Sequence, residues 1–322
     1  MFSFEASLDL PLIWFGLIVT ALFLYVLLDG FDLGVGILFP FAPSHQSRDV
    51  MMNSIAPFWD GNETWLVLSG GGLFAAFPLA YAILMPALYM PVIIMLLGLI
   101  FRGVAFEFRF KAVKSRPIWD YAFHFGSLLA TFMQGMIIGA IVTGFRVEGR
   151  SFAGHTFDWL SAYSFMTGVG LLFGYALIGA TWLVMKTDGD TQQWARKCAS
   201  YVLGYVGLFL AIISISLPLM NAHVMTLWFS LPNFFYLLPI PTATAGFFIL
   251  ICSDLHMGRE LRPFFLSIGV FFTAYLGLGI SARAPARPET SSDFILVKSP
   301  SKPASKNSRT SFFRPDARVS LS

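Results

Sequence analysis

Asp29 and Asp32 stand inside an apolar run that reaches from Leu10 to Phe41 and carries no other charge. At the centre of a membrane helix each acid costs roughly 2.5–3.5 kcal/mol on insertion scales, so a chain that keeps two has a use for them. Three residues apart, they share one helical face about 4.5 Å apart along the axis. Gly30, Gly34 and Gly36 leave room beside them for another backbone or a cofactor. Further along, Asp60 and Glu63 share a face, and Arg102 and Glu107 close a third apolar stretch. Acids placed like this pass protons, hold a cation, or tie helices together as an ion-paired network. A structural reading stands beside the chemical one, because Arg102 can pair with Glu107 and Asp60 with Glu63 suits the first turn of a helix. No basic residue lies within four positions of Asp29 or Asp32, which favours chemistry for that pair.

Other reactive residues point away from this chain. Five histidines occur (His45, His124, His155, His223 and His256), without HxxH or HExxH spacing, and only His124 falls inside a span. A lone histidine there reads as a hydrogen-bonded packing residue rather than an axial ligand, and the thirteen methionines read as core filler. Cys198 and Cys252 form no CxxC, so neither a disulfide framework nor a zinc site is expected, and no metal ligand set is assigned. GxGxxG and GxxxxGK[ST] are absent, and no nucleic-acid partner is implied. Redox chemistry, if there is any, belongs to a partner.

The elements that must position the acids are membrane helices. Of 322 residues 56% are hydrophobic and 12% charged, half the share of a soluble domain, and the mean hydropathy is +0.70. Met1 to Leu10 carries Glu5 and Asp9 and no basic residue, so it does not read as a cleaved signal. At about 20 apolar residues per crossing, eight spans are expected near 11–38, 59–78, 81–102, 119–144, 160–184, 200–220, 231–252 and 263–281. Pro232, Pro239 and Pro241 make the seventh start late or kink. With the N-terminus outside, the inner loops hold eleven lysines and arginines and the outer loops only Arg146 and Arg150. That orientation puts five acids (Asp29, Asp32, Asp60, Glu63 and Glu107) and Arg102 together near the cytoplasmic face of the first three helices.

Four segments carry a resemblance to a known family. They are Asp29-Gly30-Phe31-Asp32-Leu33-Gly34-Val35-Gly36, the run Asn53 to Leu66 that contains Trp59-Asp60-Gly61-Asn62-Glu63-Thr64-Trp65, the run Phe101 to Arg109, and Gly174 to Thr187. Over roughly residues 8–281 the chain resembles subunit II of the cytochrome bd quinol oxidases, including the cyanide-insensitive variants. The resemblance implies an all-α integral membrane protein of two four-helix bundles, the first over about 11–144 and the second over about 160–281. It also implies pairing with a subunit I that carries haems b and d and oxidises quinol, reduction of dioxygen to water, and protons drawn from the cytoplasm across a bacterial plasma (inner) membrane. This chain would bind no haem itself, would stabilise subunit I, has room for a structural quinone, and would accept a small single-helix subunit as a further partner. By motif, Asp32 and Asp60 match carboxylates of a proton route, with Asp29, Glu63, Arg102 and Glu107 nearby, and Trp65 lies beside an oxygen passage.

The end departs from that family. After Ser281 the family continues into a ninth helix, whereas residues 282–322 become rich in Ser, Pro, Lys and Arg and never regain an apolar span. The segment reads as a disordered basic tail, and the abrupt change of composition suggests a frameshifted or truncated reading, with a genuine lineage-specific tail as the alternative. A reading from another class is a secondary transporter or proton channel with its acidic site in the first three helices. It would require an inverted repeat, and the second half has no counterpart to the acidic cluster of the first.

Overall fold

The structure is a computed structural model that describes residues 9–282. Of the expected tail at 282–322, everything beyond Ala282 lies outside the described residues.

Helix α1 (Leu10–Leu38) begins where the Asp9 carboxylate accepts the Leu12 N–H at 3.3 Å, with Pro11 in its first turn, where a missing N–H is harmless. A short 3-10 turn (Phe39–Phe41) leads to α2 (His45–Ile55), capped by Ser44. Then come α3 (Trp59–Ala76), α4 (Pro78–Arg109) and α5 (Arg116–Thr143). A small hairpin of β1 (Val147–Glu148) and β2 (Ser151–Phe152) turns at Gly149, whose φ of 62° suits glycine. The second half holds α6 (Ala162–Lys186), α7 (Gly189–Met220), the short α8 (Ala222–Phe229) and α9 (Asn233–Leu237), α10 (Pro239–His256) and α11 (Arg262–Ala282).

Among the described residues, seven stretches are long and apolar enough to cross a membrane: α1 with its 3-10 turn, α4, α5, α6, α7, the segment Asn233–His256, and α11. They correspond to seven of the eight expected spans. The remaining one, 59–78, is helix α3. Its polar first turn (Asp60, Asn62 and Glu63) and three consecutive glycines keep its hydropathy below that of the others. The stretch expected near 200–220 begins much earlier, at Gly189, because a polar amphipathic turn precedes the apolar one.

Helices α1, α3, α4 and α5 pack around one another, α6, α7, α10 and α11 form a second group, and α1 and α5 both lie against α6. Small residues set the closest approaches. Gly34 of α1 meets the Tyr175 backbone and Gly179 of α6, and Gly98 of α4 faces the Gly126 backbone of α5. Around the first crossing Phe31 stacks on Trp182 at 4.2 Å, with Phe264 of α11 edge-on to both. The part of α1 that carries the two aspartates is thereby wedged between α3 and α6.

Candidate functional site

The acids gather where α1, α3 and α4 meet. Arg102, fully buried on α4, brings Nη1 within 2.6 Å of Asp29 Oδ1 and donates from Nη2 to Glu63 Oε1 at 2.7 Å. The Asp29 contact is a close charge pair with poor hydrogen-bond alignment. Neither Asp29 oxygen has an aligned partner among the described residues. Asp32, equally buried, takes a different partner: Asn62 Nδ2 donates to its Oδ2 at 2.7 Å and shares that nitrogen with the Leu28 carbonyl at 3.1 Å. Asp32 Oδ1 has no partner among the described residues. Glu63, with 27% of its side chain exposed, connects the group to the surface. One guanidinium thus faces three carboxyl groups, and a buried excess of negative charge demands compensation.

Three of the five expected acids meet here, and two do not. Glu107 is five positions past Arg102, which turns it about 140° around the helix, so the two cannot face the same neighbour. It pairs instead with Lys111 at 3.6 Å, one turn on, and both are exposed. The expected Arg102–Glu107 pair is replaced by Arg102 with Asp29 and Glu63. Asp60 is exposed in the first turn of α3, where a carboxylate complements the helix dipole. Trp65, three residues beyond Asn62, is half-buried, and its ring makes no hydrogen bond among the described residues.

A second network escaped the sequence reading. Fully buried Arg109 donates from Nε to Asp120 and from Nη1 to Asp49 at 2.8 Å, Arg116 pairs with Asp49, and Arg48 pairs with Asp120 at 3.2 Å. These contacts tie α2 to the α4–α5 turn. Burial raises the Asp49 carboxyl, but hydrogen bonds and charge from Arg116 and Arg109 outweigh it and hold the group below the usual carboxylate range. The signal was present: Arg109 lies seven residues beyond Arg102, two turns along the same stripe of α4. In the second group Asp254, 2% exposed, pairs with Arg259 at 3.0 Å and Arg262 at 3.3 Å. It is a single neutralised acid at a helix turn, not a second cluster.

His124, the histidine expected inside a span, is engaged in packing. His124 bonds through Nδ1 to the Gly36 carbonyl at 3.1 Å and packs against Phe41 and Phe125. An apolar cavity of about 940 Å³ lies between α6, α7, α8, α10 and α11, and no histidine is among its lining residues. Tyr163, one of its lining residues, has a buried hydroxyl without a partner among the described residues.

Comparison with known proteins points one way. Residues 10–305 match the family described as cytochrome bd terminal oxidase subunit II, a match that runs past the expected limit at Ser281. The cytochrome bd ubiquinol oxidase subunit 2 of Bacillus subtilis (strain 168) is 36% identical over 206 residues, covering 63% of this chain and 60% of that protein. The cytochrome bd-I ubiquinol oxidase subunit 2 of Escherichia coli (strain K12) is 35% identical over 198 residues, covering 59% and 52%. The chain therefore spans about half to three fifths of the length of the curated relatives it matches. A chain in the structure of bd oxidase from Geobacillus thermodenitrificans superposes with a TM-score of 0.68 at 17% identity, covering 88% of this chain and 89% of that one, a likeness of fold.

Proposed function

The chain belongs to the cytochrome bd terminal oxidase subunit II family, and from that premise we propose that it is the haem-free subunit of a quinol-oxidising, oxygen-reducing complex in a bacterial inner membrane. It stabilises a haem-bearing subunit I and supplies a proton route from the cytoplasm. The excess of basic residues in alternate loops supports an orientation with the N-terminus outside, so the acid cluster opens toward the cytoplasm.

The observation that carries the proton role is Asp32 Oδ1, a buried carboxyl oxygen with no partner among the described residues, beside an uncompensated negative charge. A proton bound there neutralises part of that charge, and carboxyl groups in such settings mark proton relays. In this reading protons pass Asp60 at the mouth and Glu63 at the surface, reach Asp32, and continue to the partner. Arg102 holds Asp29 and Glu63 in place. Glu107, on another face, lies outside the route. A secondary transporter is disfavoured because the buried acid of the second half, Asp254, is already paired.

Two further roles follow from the family. In the same reading Trp65, half-buried beyond the cluster, lies beside an oxygen passage. The apolar cavity of about 940 Å³ suits a structural quinone. The complex then pairs this chain with subunit I, and a small single-helix subunit would complete it.

The test is Asp32→Asn in the purified complex, read by oxygen consumption with quinol, proton uptake and haem content. The expected result is slow turnover and slow proton uptake with haem content retained. Unchanged turnover and uptake would remove Asp32 from the route.

A further inference from the structure

We infer that Tyr175, Gln134 and Tyr25 form a hydrogen-bonded strut that positions Asp29, leaving Asp32 as the carboxyl group of α1 that gains and loses a proton. The inference rests on the proton-route reading above. Tyr175 Oη donates to Gln134 Oε1 at 2.8 Å, and Gln134 Nε2 donates to Tyr25 Oη at 2.7 Å. All three side chains are buried, and they come from α6, α5 and α1, so the chain crosses the seam between the two helix groups. Both donors point the same way, toward α1.

Tyr25 Oη accepts from Gln134 and keeps its own hydrogen, which no other acceptor takes among the described residues. Asp29 is one turn further along the same face of α1 and is the neighbouring acceptor. A buried hydroxyl hydrogen without an acceptor is destabilising, so donation to Asp29 completes the chain. Gln134 makes the assembly a strut and not a wire: its carbonyl is engaged by one phenol and its amino group by the other, and a proton could cross it only through an imidic acid. Aligned donors polarise one another and present their positive end to Asp29, opposite Arg102. Asp29 is thus held as a carboxylate from two sides, while Asp32 has one amide donor and, among the described residues, one oxygen without a partner. The charged and titratable groups that face Asp29 are Arg102 of α4, Glu63 of α3, Asp32 and Tyr25 of α1, and Tyr175 of α6.

The test is infrared difference spectroscopy of the complete complex between two pH values, read in the protonated-carboxyl region. The wild type is expected to show a band that Asp32→Asn removes and Asp29→Asn leaves. Tyr25→Phe is expected to add a second band that Asp29→Asn, placed on top of it, removes. Tyr175→Phe, which keeps the ring against Phe271, should add the same band more weakly, and it serves if Tyr25→Phe does not assemble. A wild-type band removed by Asp29→Asn overturns the proposal, as does a spectrum of the phenylalanine variant identical to wild type. Turnover of Asp32→Asn tests the proton route separately, so failure of the route and failure of the strut read out differently.

Discussion

Arg102 Nη1 stands 2.6 Å from Asp29 Oδ1, and among the described residues no cation makes such a contact with Asp32, although the two aspartates share a helical face. The helix periodicity that makes them look equivalent says nothing about which neighbour each meets. A guanidinium from α4 takes one and a carboxamide from α3 takes the other. Removing the guanidinium leaves buried carboxyl groups unpaired, which costs about 3–5 kcal/mol for a buried pair. Arg102→Met is therefore expected to lower the thermal midpoint of the detergent-purified complex sharply and reduce its haem content. Arg102→Lys, whose single ammonium cannot span Asp29 and Glu63 together, should fall between the two.

Glu107→Gln is expected to leave both stability and turnover close to wild type. Its partner Lys111 is 77% exposed and the pair spans 3.6 Å, a geometry worth at most about 1 kcal/mol. Asp60→Asn should behave differently, slowing proton uptake at low buffer concentration while haem content stays normal. Equal effects of the two substitutions would show that the mouth of the route is not at α3.

Much of the fold was legible because membrane spans announce themselves by length and hydropathy, and Asp29, Asp32, Glu63 and Arg102 stood out by their burial cost. What was not legible was pairing. Asn62 looks like an ordinary polar residue between Gly61 and Glu63, yet it supplies the one hydrogen bond Asp32 has among the described residues. Gln134, Tyr25 and Tyr175 are three polar groups in three separate apolar runs, and only packing brings them together. Arg109 was visible as a positive residue for orientation, but its partners Asp49 and Asp120 lie in segments joined to it only by the folded turn. Glu107 misled because proximity in sequence to Arg102 is not proximity around a helix.

Gly34→Leu is expected to separate α1 from α6. A β-carbon at Gly34 falls on the Tyr175 carbonyl, which is backbone and cannot rotate away. Overpacking of a tight interior costs typically 1–3 kcal/mol and forces backbone shifts, here directly beside Asp32 and Tyr175. The variant should lose thermal stability, and limited proteolysis of the loop between α5 and α6 should accelerate. Gly16→Leu, at an open position on the same helix, is the control that should change neither.

The Asp49 network predicts an acid limb. Arg116 and Arg109 hold the Asp49 carboxyl below its usual range in the folded protein, so its contribution is complete above the unfolded value near about 4. As the pH falls through the lower folded value, the native state gains a proton at the expense of the two ion pairs, and the contribution disappears. Asp49→Asn should therefore be slightly less stable than wild type at neutral pH, by about 1 kcal/mol or less given that 36% of the side chain is exposed. Thermal midpoints recorded from pH 7 down to about pH 3 should show the difference shrinking as Asp49 protonates, until the two curves meet. A gap that stays constant over that range would mean that Asp49 contributes through packing against Arg109 and not through its charge.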